Sequence, residues 1–191
     1  MYFTEHRHED RHDAYVDIKK DIYFKEHRLI VEVKDELEMP IKELIGNKDL
    51  LDLPKTSFLC SRKVPASIVL KCYDWAILQR EAGNCIISGF HSQLEQDVFH
   101  YLIKGSQPVI IAMARSIPSK LPENLKKRVD DGRLLIISPF EKDVRRVTVE
   151  TAIIRNKMMI ELADKVTIGY ANPDGRLSQI LFGLNKNINY L

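Results

Sequence analysis

From about Lys55 onward, short and continuously apolar runs alternate with longer amphipathic stretches. The runs TSFLC (56–60), NCIIS (84–88), PVIIAMA (108–114), RLLIIS (133–138) and KVTIGYA (165–171) are too brief for helices and predict strands. Their apolarity is continuous rather than alternating, which predicts burial on both faces, as in a parallel sheet with helices above and below. The stretches between them, about Ala66–Ala82, Gln93–Ile103, Pro122–Asp130 and Val147–Ala163, predict crossover helices. Gly83, Gly105 and Gly132 fall where helix ends favour a residue tolerant of positive φ. The pattern predicts a doubly wound α/β fold, a mainly parallel sheet with helices on both faces.

The earlier residues follow a different pattern. They predict an N-terminal extension over residues 1–54, ahead of a domain spanning residues 55–191. Within the extension, Asp21–Phe24 against Leu29–Val33 fits a hairpin, MPIKELIG a short helix, and Met1–Asp13 a mobile polar terminus. A chain of 191 residues can bury one sizeable core, and 45% hydrophobic with 29% charged residues argues against wholesale disorder. No apolar run approaches the length of a membrane span, and MYFTEHRHEDRHD lacks the apolar core of a signal peptide, so a cytoplasmic protein without membrane association is expected. Three cysteines, Cys60, Cys72 and Cys85, form no CxxC pair and suit a reducing compartment.

A net charge of +2 neither demands nor excludes a nucleic-acid partner, so the distribution of charge matters more. Lys126, Lys127 and Arg128, and again Lys142, Arg145 and Arg146, read as solvated surface. In an open parallel sheet, however, ligands lie beyond the carboxyl ends of the strands. The turns predicted there are Ser61-Arg62-Lys63, Ser88-Gly89, Ala114-Arg115-Ser116, Ser138-Pro139 and Asn172-Pro173-Asp174-Gly175. Serine and glycine let an anion approach backbone N–H groups, and arginine can fork two phosphate oxygens, so the set favours a phosphate-bearing ligand. The stretch VETAIIRNKMMIELAD adds a puzzle. Val149, Ala152, Ile153, Ile160 and Ala163 form one apolar stripe with Asn156 in its middle, flanked by Arg155 and Lys157. An unpaired buried amide costs about 1–3 kcal/mol, so a polar partner, from the backbone or a ligand, is expected opposite Asn156.

Other chemistry is weakly supported. Neither a Walker loop nor a GxGxxG fingerprint occurs, which argues against ATP hydrolysis and ordinary dinucleotide binding. Acid or base candidates near the strand ends are Glu95, His91 and Asp174, and none is expected to be catalytic. The histidines of EHRHEDRHD read as a solvated charged terminus rather than a metal site, Cys60 as inert packing, and Tyr73 and Trp75 as helix-packing groups. No cofactor is expected.

Several of these segments together resemble a known family. CSRKVPAS before an amphipathic helix, IISGF with His100 beyond it, PVIIAMA, SPF, IIRNKMMIELADKV and finally DGRL look like the DNA-processing protein A (DprA/Smf) family of recombination mediators, from about Thr56 to Leu177. The most specific element is Arg155-Asn156 before an apolar helix and strand, similar to that family's Arg-Asn-Arg motif with Lys157 in place of the second arginine. The resemblance implies a Rossmann-like domain that binds single-stranded DNA or a nucleotide in a basic pocket, acts in DNA uptake or recombination, and helps load a recombinase. A homodimer is a further expectation. The residues expected to hold phosphate are Ser61, Arg62, Lys63, Ser88, Gly89, Arg155, Asn156, Lys157 and Gly175. Asn156 would face the pocket and pin its loops, while Arg155 would reach the ligand or another strand end.

The sequence also departs from that family. Its Gly-Ser-Arg turn is here Cys60-Ser61-Arg62, its Ser-Gly-x-Ala-Arg-Gly-Ile-Asp turn is SGFHSQLE, and Asp174 stands where the last turn has serine. The chain stops soon after the helix opened by DGRL, which predicts no closing strand and no additional C-terminal DNA-binding domain. Two alternatives therefore stand beside the leading reading. One is a nucleotide-derivative hydrolase of the related lysine-decarboxylase-like family, whose Pro-Gly-Gly-x-Gly-Thr turn is absent here. The other is an interaction module with a degenerate pocket.

Overall fold

Residues 40–191 are described by the computed structural model, so the hairpin expected at Asp21–Phe24 and Leu29–Val33 and the polar terminus before it lie outside the described residues. Seven strands form one sheet: β1 (Glu43–Gly46), β2 (Lys55–Leu59), β3 (Cys85–Ser88), β4 (Val109–Ala112), β5 (Leu134–Ser138), β6 (Lys165–Ile168) and β7 (Ile188–Tyr190). Their spatial order is β1-β5-β4-β3-β2-β6-β7, parallel throughout except that β1 runs antiparallel to β5. The five helices are α1 (Ala66–Glu81), α2 (Gln93–Leu102), α3 (Glu123–Asp130), α4 (Val149–Leu162) and α5 (Arg176–Leu181). Every residue of CIIS, VIIA and LLIIS is buried, as continuous apolarity requires of central parallel strands.

Alternate side chains divide the core between two layers. Phe58, Ile86, Val109, Ile111, Leu134 and Ile136 pack with Trp75, Val98 and Leu102 and with the half-buried Leu125 and Val129, so α1, α2 and α3 share one face. The Phe58 and Trp75 rings stack 4.8 Å apart, which gives Trp75 the packing role expected of it. The chain moves from β2 through β5 in one direction, then returns to lay β6 on the far side of β2. Right-handed crossovers therefore place α4 and α5 on the opposite face, where Met158, Met159 and Ile160 are buried. The doubly wound expectation is met, and the reversal creates a switch point between the carboxyl ends of β2 and β6.

Three expectations need correction. MPIKELIG forms no helix: ELIG is the edge strand β1, whose alternating half-buried and exposed residues pair with Leu135–Ser138 of β5. Helix periodicity in that segment rested on too few apolar residues to compete with an open sheet edge. A closing strand does exist, since Ile188–Tyr190 pairs with Val166–Ile168 of β6. Gly83 and Gly132 adopt positive φ at helix ends, but Gly105 does not; a side chain there would collide with Arg80 and Gln107.

Gly46 ends β1 at φ +113°, and a Cβ at this position would overlap the Leu134 carbonyl oxygen. Gly46→Ala is expected to destabilise the protein by roughly 1–3 kcal/mol, through backbone strain and overpacking against the β5 ladder. Urea unfolding with a wild-type midpoint would show that β1 is not held as described.

Candidate functional site

A cavity of about 630 Å³ opens at the switch point. Its walls come from the end of β2 (Leu59 to Arg62), the turn into α2 (His91, Ser92 and Glu95), the first two turns of α4 and the start of α5 (Arg176, Leu177 and Ile180). The turns converge because their polar groups are bonded to one another. Glu95 is buried and completes a capping box with Ser92 at the start of α2. Its Oε2 accepts the His91 N–H at 2.9 Å and the Ser92 N–H at 3.0 Å, and its Oε1 accepts the Cys60 N–H at 3.3 Å. On the other side, the Ser61 N–H donates to the Tyr170 carbonyl (2.8 Å), and Ser61 Oγ accepts the Asn172 N–H (3.0 Å). The ends of β2, β3 and β6 are thus tied around one opening.

Arg155 projects from α4 into this structure and is only 5% exposed. Its Nη1 donates to the Ala112 carbonyl at the end of β4 (3.3 Å), while Nε has no hydrogen-bond partner among the described residues. Desolvation draws the guanidinium pKa down and the nearby Glu95 carboxylate opposes that shift; arginine remains charged under such conditions. Gly89 explains how so bulky a group fits, because a Cβ at Gly89 would overlap the guanidinium. Arg155 therefore reaches another strand end, that of β4.

Asn156 needs a different account from the one its place in the stripe predicts. The apolar stripe is buried at Ile160 and Ala163, but at Val149, Ala152 and Ile153 it forms the cavity wall, and Asn156 stands half-buried in that wall. Its amide has no hydrogen bond among the described residues, so it pins no loop there. Arg155 and Glu95 do that work. Burial was overestimated because periodicity identifies the inward face of a helix without showing where that face meets an opening.

Of the other residues expected to hold phosphate, Ser61 and Arg62 line the cavity, and Arg62 is exposed. Ser88 is fully buried and donates its hydroxyl to the Phe58 carbonyl (2.8 Å), bridging β3 to β2 away from the cavity. Gly89 lies beneath Arg155; Lys63, Lys157 and Gly175 are outside the lining. Arg176, immediately after Gly175, does line the cavity, as do Thr148, His91 and Ser92. The sequence signal for Arg176 was present in DGRL, where the glycine drew attention and the adjacent cation did not.

The three thiols are free and buried. Cys60 and Cys72 hydrogen-bond beside Gly169, and the Cys72 partner together with burial raises the Cys60 pKa far above the ordinary thiol range. The shared hydrogen bond lowers that of Cys72, whereas burial pushes Cys85 up to about 11. Among the described residues there is no group of three or more potential metal ligands, and no helix is long and apolar enough to cross a membrane.

No protein-family model matches the sequence. No curated protein matches it either. Solved structures do. DNA processing protein A from Helicobacter pylori, known by a structural description of its single-stranded DNA binding mode, superposes with a TM-score of 0.63 at 22% identity, covering 82% of this chain and 74% of that one. DNA processing protein A from Streptococcus pneumoniae gives a TM-score of 0.60 at 17% identity over 77% of this chain, which spans only 53% of that longer protein. A molybdenum cofactor binding protein from Rippkaea orientalis follows at 0.50 and 13% identity, with 72% and 75% covered. The fold of this chain is DprA-like, a Rossmann-like α/β architecture.

The contact between Gly89 and Arg155 makes a specific prediction. Gly89→Ala should destabilise the protein by about 1–3 kcal/mol, because the new methyl group overlaps the end of the Arg155 side chain and displaces it from the Ala112 carbonyl. Once Arg155 is already alanine, adding Gly89→Ala should have little further effect. In a double-mutant cycle measured by urea unfolding, strict additivity would show that the two residues do not contend for the same space.

Proposed function

We propose that the cavity at the switch point binds single-stranded DNA or a nucleotide, and that the protein is a DprA-like binding protein acting in DNA uptake or recombination. The supporting observation is the convergence of Arg62, Arg155 and Arg176 with the unpaired amide of Asn156 on one cavity. Its single lining carboxylate among the described residues, Glu95, already accepts three backbone N–H groups. Exposed Arg62 and Arg176 are suited to forked phosphate contacts, Ser61 can still donate its hydroxyl, and Asn156 offers donors and an acceptor to phosphate, sugar or base. Arg155 adds positive potential from beneath. Ala152, Ile153 and Ile180 give the wall an apolar component on which a base or sugar can rest. A DNA partner agrees with a cytoplasmic location, and a recombinase partner and a homodimer belong to the same proposal.

A hydrolase is the weaker reading. Base removal needs a positioned acid or base, and the committed oxygens of Glu95 leave only His91 on the cavity wall. Robust base release from nucleoside monophosphates or dinucleotides would overturn the choice of a binding protein.

Two direct phosphate contacts predict a shallow slope of log affinity against log salt, about −1.4, or near −2 if Arg155 contributes a third. Arg62→Ala and Arg176→Ala should each weaken binding of a labelled oligothymidylate and flatten the slope by about 0.7. Lys127→Ala, on α3, should do neither. Asn156→Ala should reduce affinity while leaving the unfolding midpoint nearly unchanged, since its amide bonds to nothing among the described residues. Fluorescence anisotropy at several salt concentrations decides the matter: salt-insensitive binding, or full binding by the Arg62/Arg176 double variant, puts the ligand elsewhere.

A further inference from the structure

A second cavity, of about 880 Å³, lies against the carboxyl ends of β4 and β5 and the edge strand β1. Lys42, Arg115, Lys142 and Arg145 line it, with Glu43 as the only lining carboxylate among the described residues. That carboxylate is engaged, its Oε2 accepting the Ile117 N–H at 2.7 Å. Lys42 pairs with Glu141 at 3.6 Å, which leaves Arg115, Lys142 and Arg145 without an ion pair among the described residues. Asp143 lies between the last two in sequence but is outside the lining.

This is a formed basin rather than a set of loose side chains. The Ser116 N–H donates to the Val144 carbonyl (2.8 Å), joining the segment after β4 to the segment before α4. Ser138 Oγ donates to the Arg115 carbonyl, and the Lys42 N–H to the Ser138 carbonyl, both at 2.8 Å. The cations therefore stand on fixed backbone. Beside them Leu44 is 47% exposed, giving the basin an apolar surface as well as charge. Its volume lies within the range of about 300–1,000 Å³ typical of ligand sites.

The linings of the two cavities approach each other along the chain. Arg145 lines the second and Val147 the first, and two residues of extended chain span at most about 7 Å. We infer that the second cavity is a further phosphate-binding basin, which takes the backbone of a single nucleic-acid strand as it leaves the first. The pairing of unneutralised cations with an apolar surface matches an unpaired strand, whose phosphates and base faces are both accessible. The inference rests on the proposed function of the first cavity and extends its footprint across the segment that separates the two.

Salt dependence tests this better than affinity, because a longer oligonucleotide gains binding registers without gaining contacts. Binding of the full chain to oligothymidylates of about six and about eighteen nucleotides should give a slope steeper for the longer one by roughly 1.4–2. Arg115→Ala with Arg145→Ala should leave binding of the short oligomer at wild-type strength and flatten the long-oligomer slope by about 1.4. Lys142→Ala, at an exposed residue where folding is not at risk, should flatten the long-oligomer slope alone by about 0.7. Equal slopes for the two lengths in the wild-type protein, or a long-oligomer slope unaffected by these substitutions, would overturn the second basin while leaving the first intact. So would loss of short-oligomer binding in the folded Arg115/Arg145 variant, or displacement of the long oligomer by polyglutamate as readily as by unlabelled oligothymidylate. Failure of the wild-type protein to bind either length would remove both readings together.

Discussion

Glu95 sits buried at the first turn of α2 with both carboxylate oxygens occupied by backbone donors, and those donors come from two different strand ends. The arrangement of the cavity depends on this one group. Without it, the turn after β2 and the turn after β3 would each carry N–H groups needing another partner, in a place where most water has been excluded. Arg155 is the matching positive charge, buried to a similar degree and held by the end of β4. Charge at the site thus divides by role: Glu95 and Arg155 organise the framework, while Arg62 and Arg176 remain exposed toward whatever enters.

That division bears on the missing glycine of the first turn. Cys60 occupies a position where the resembling family has a glycine, and its N–H is already taken by Glu95. The anion-facing groups of this turn are instead the Ser61 hydroxyl and the Arg62 side chain. Cys60 and Cys72 fill the space beside Gly169, so the cysteine participates in packing at the base of the opening. A positive-φ residue does occur near the site, but it is Phe90, at φ 45°, its ring anchored against Phe99 at a centroid distance of 4.7 Å. Burial and ring packing there offset the modest strain of a left-handed residue.

Much of the architecture was legible because apolar runs such as CIIS and LLIIS have few alternatives: they are too short for helices and too continuous for one-sided strands. ELIG was misread because an edge strand buries only one side and leaves a four-residue pattern that fits several structures. The turns of the site were correctly located at the strand ends, but their members could not be sorted by direction. Ser88 looks like a phosphate-binding serine and instead bonds across to β2; Gly89 looks like a place for close ligand approach and instead makes room for an arginine. Sequence identifies which groups are small and polar. Which of them faces the opening is decided by long-range contacts, such as that between Arg155 and the end of β4.

Gly89 and Arg155 also constrain the order in which this site can change over generations. A side chain cannot be added at position 89 while the guanidinium fills the space above it, whereas Arg155 can be shortened with glycine still in place. Replacement of the arginine is therefore the permissive step, and replacement of the glycine can follow only on that background. A lineage that took both steps would reverse them in the opposite order, glycine before arginine, since restoring the arginine first would drive it into the newly acquired side chain. The contact sets an order on sequence divergence, one that a pair of individually acceptable residue types would not reveal.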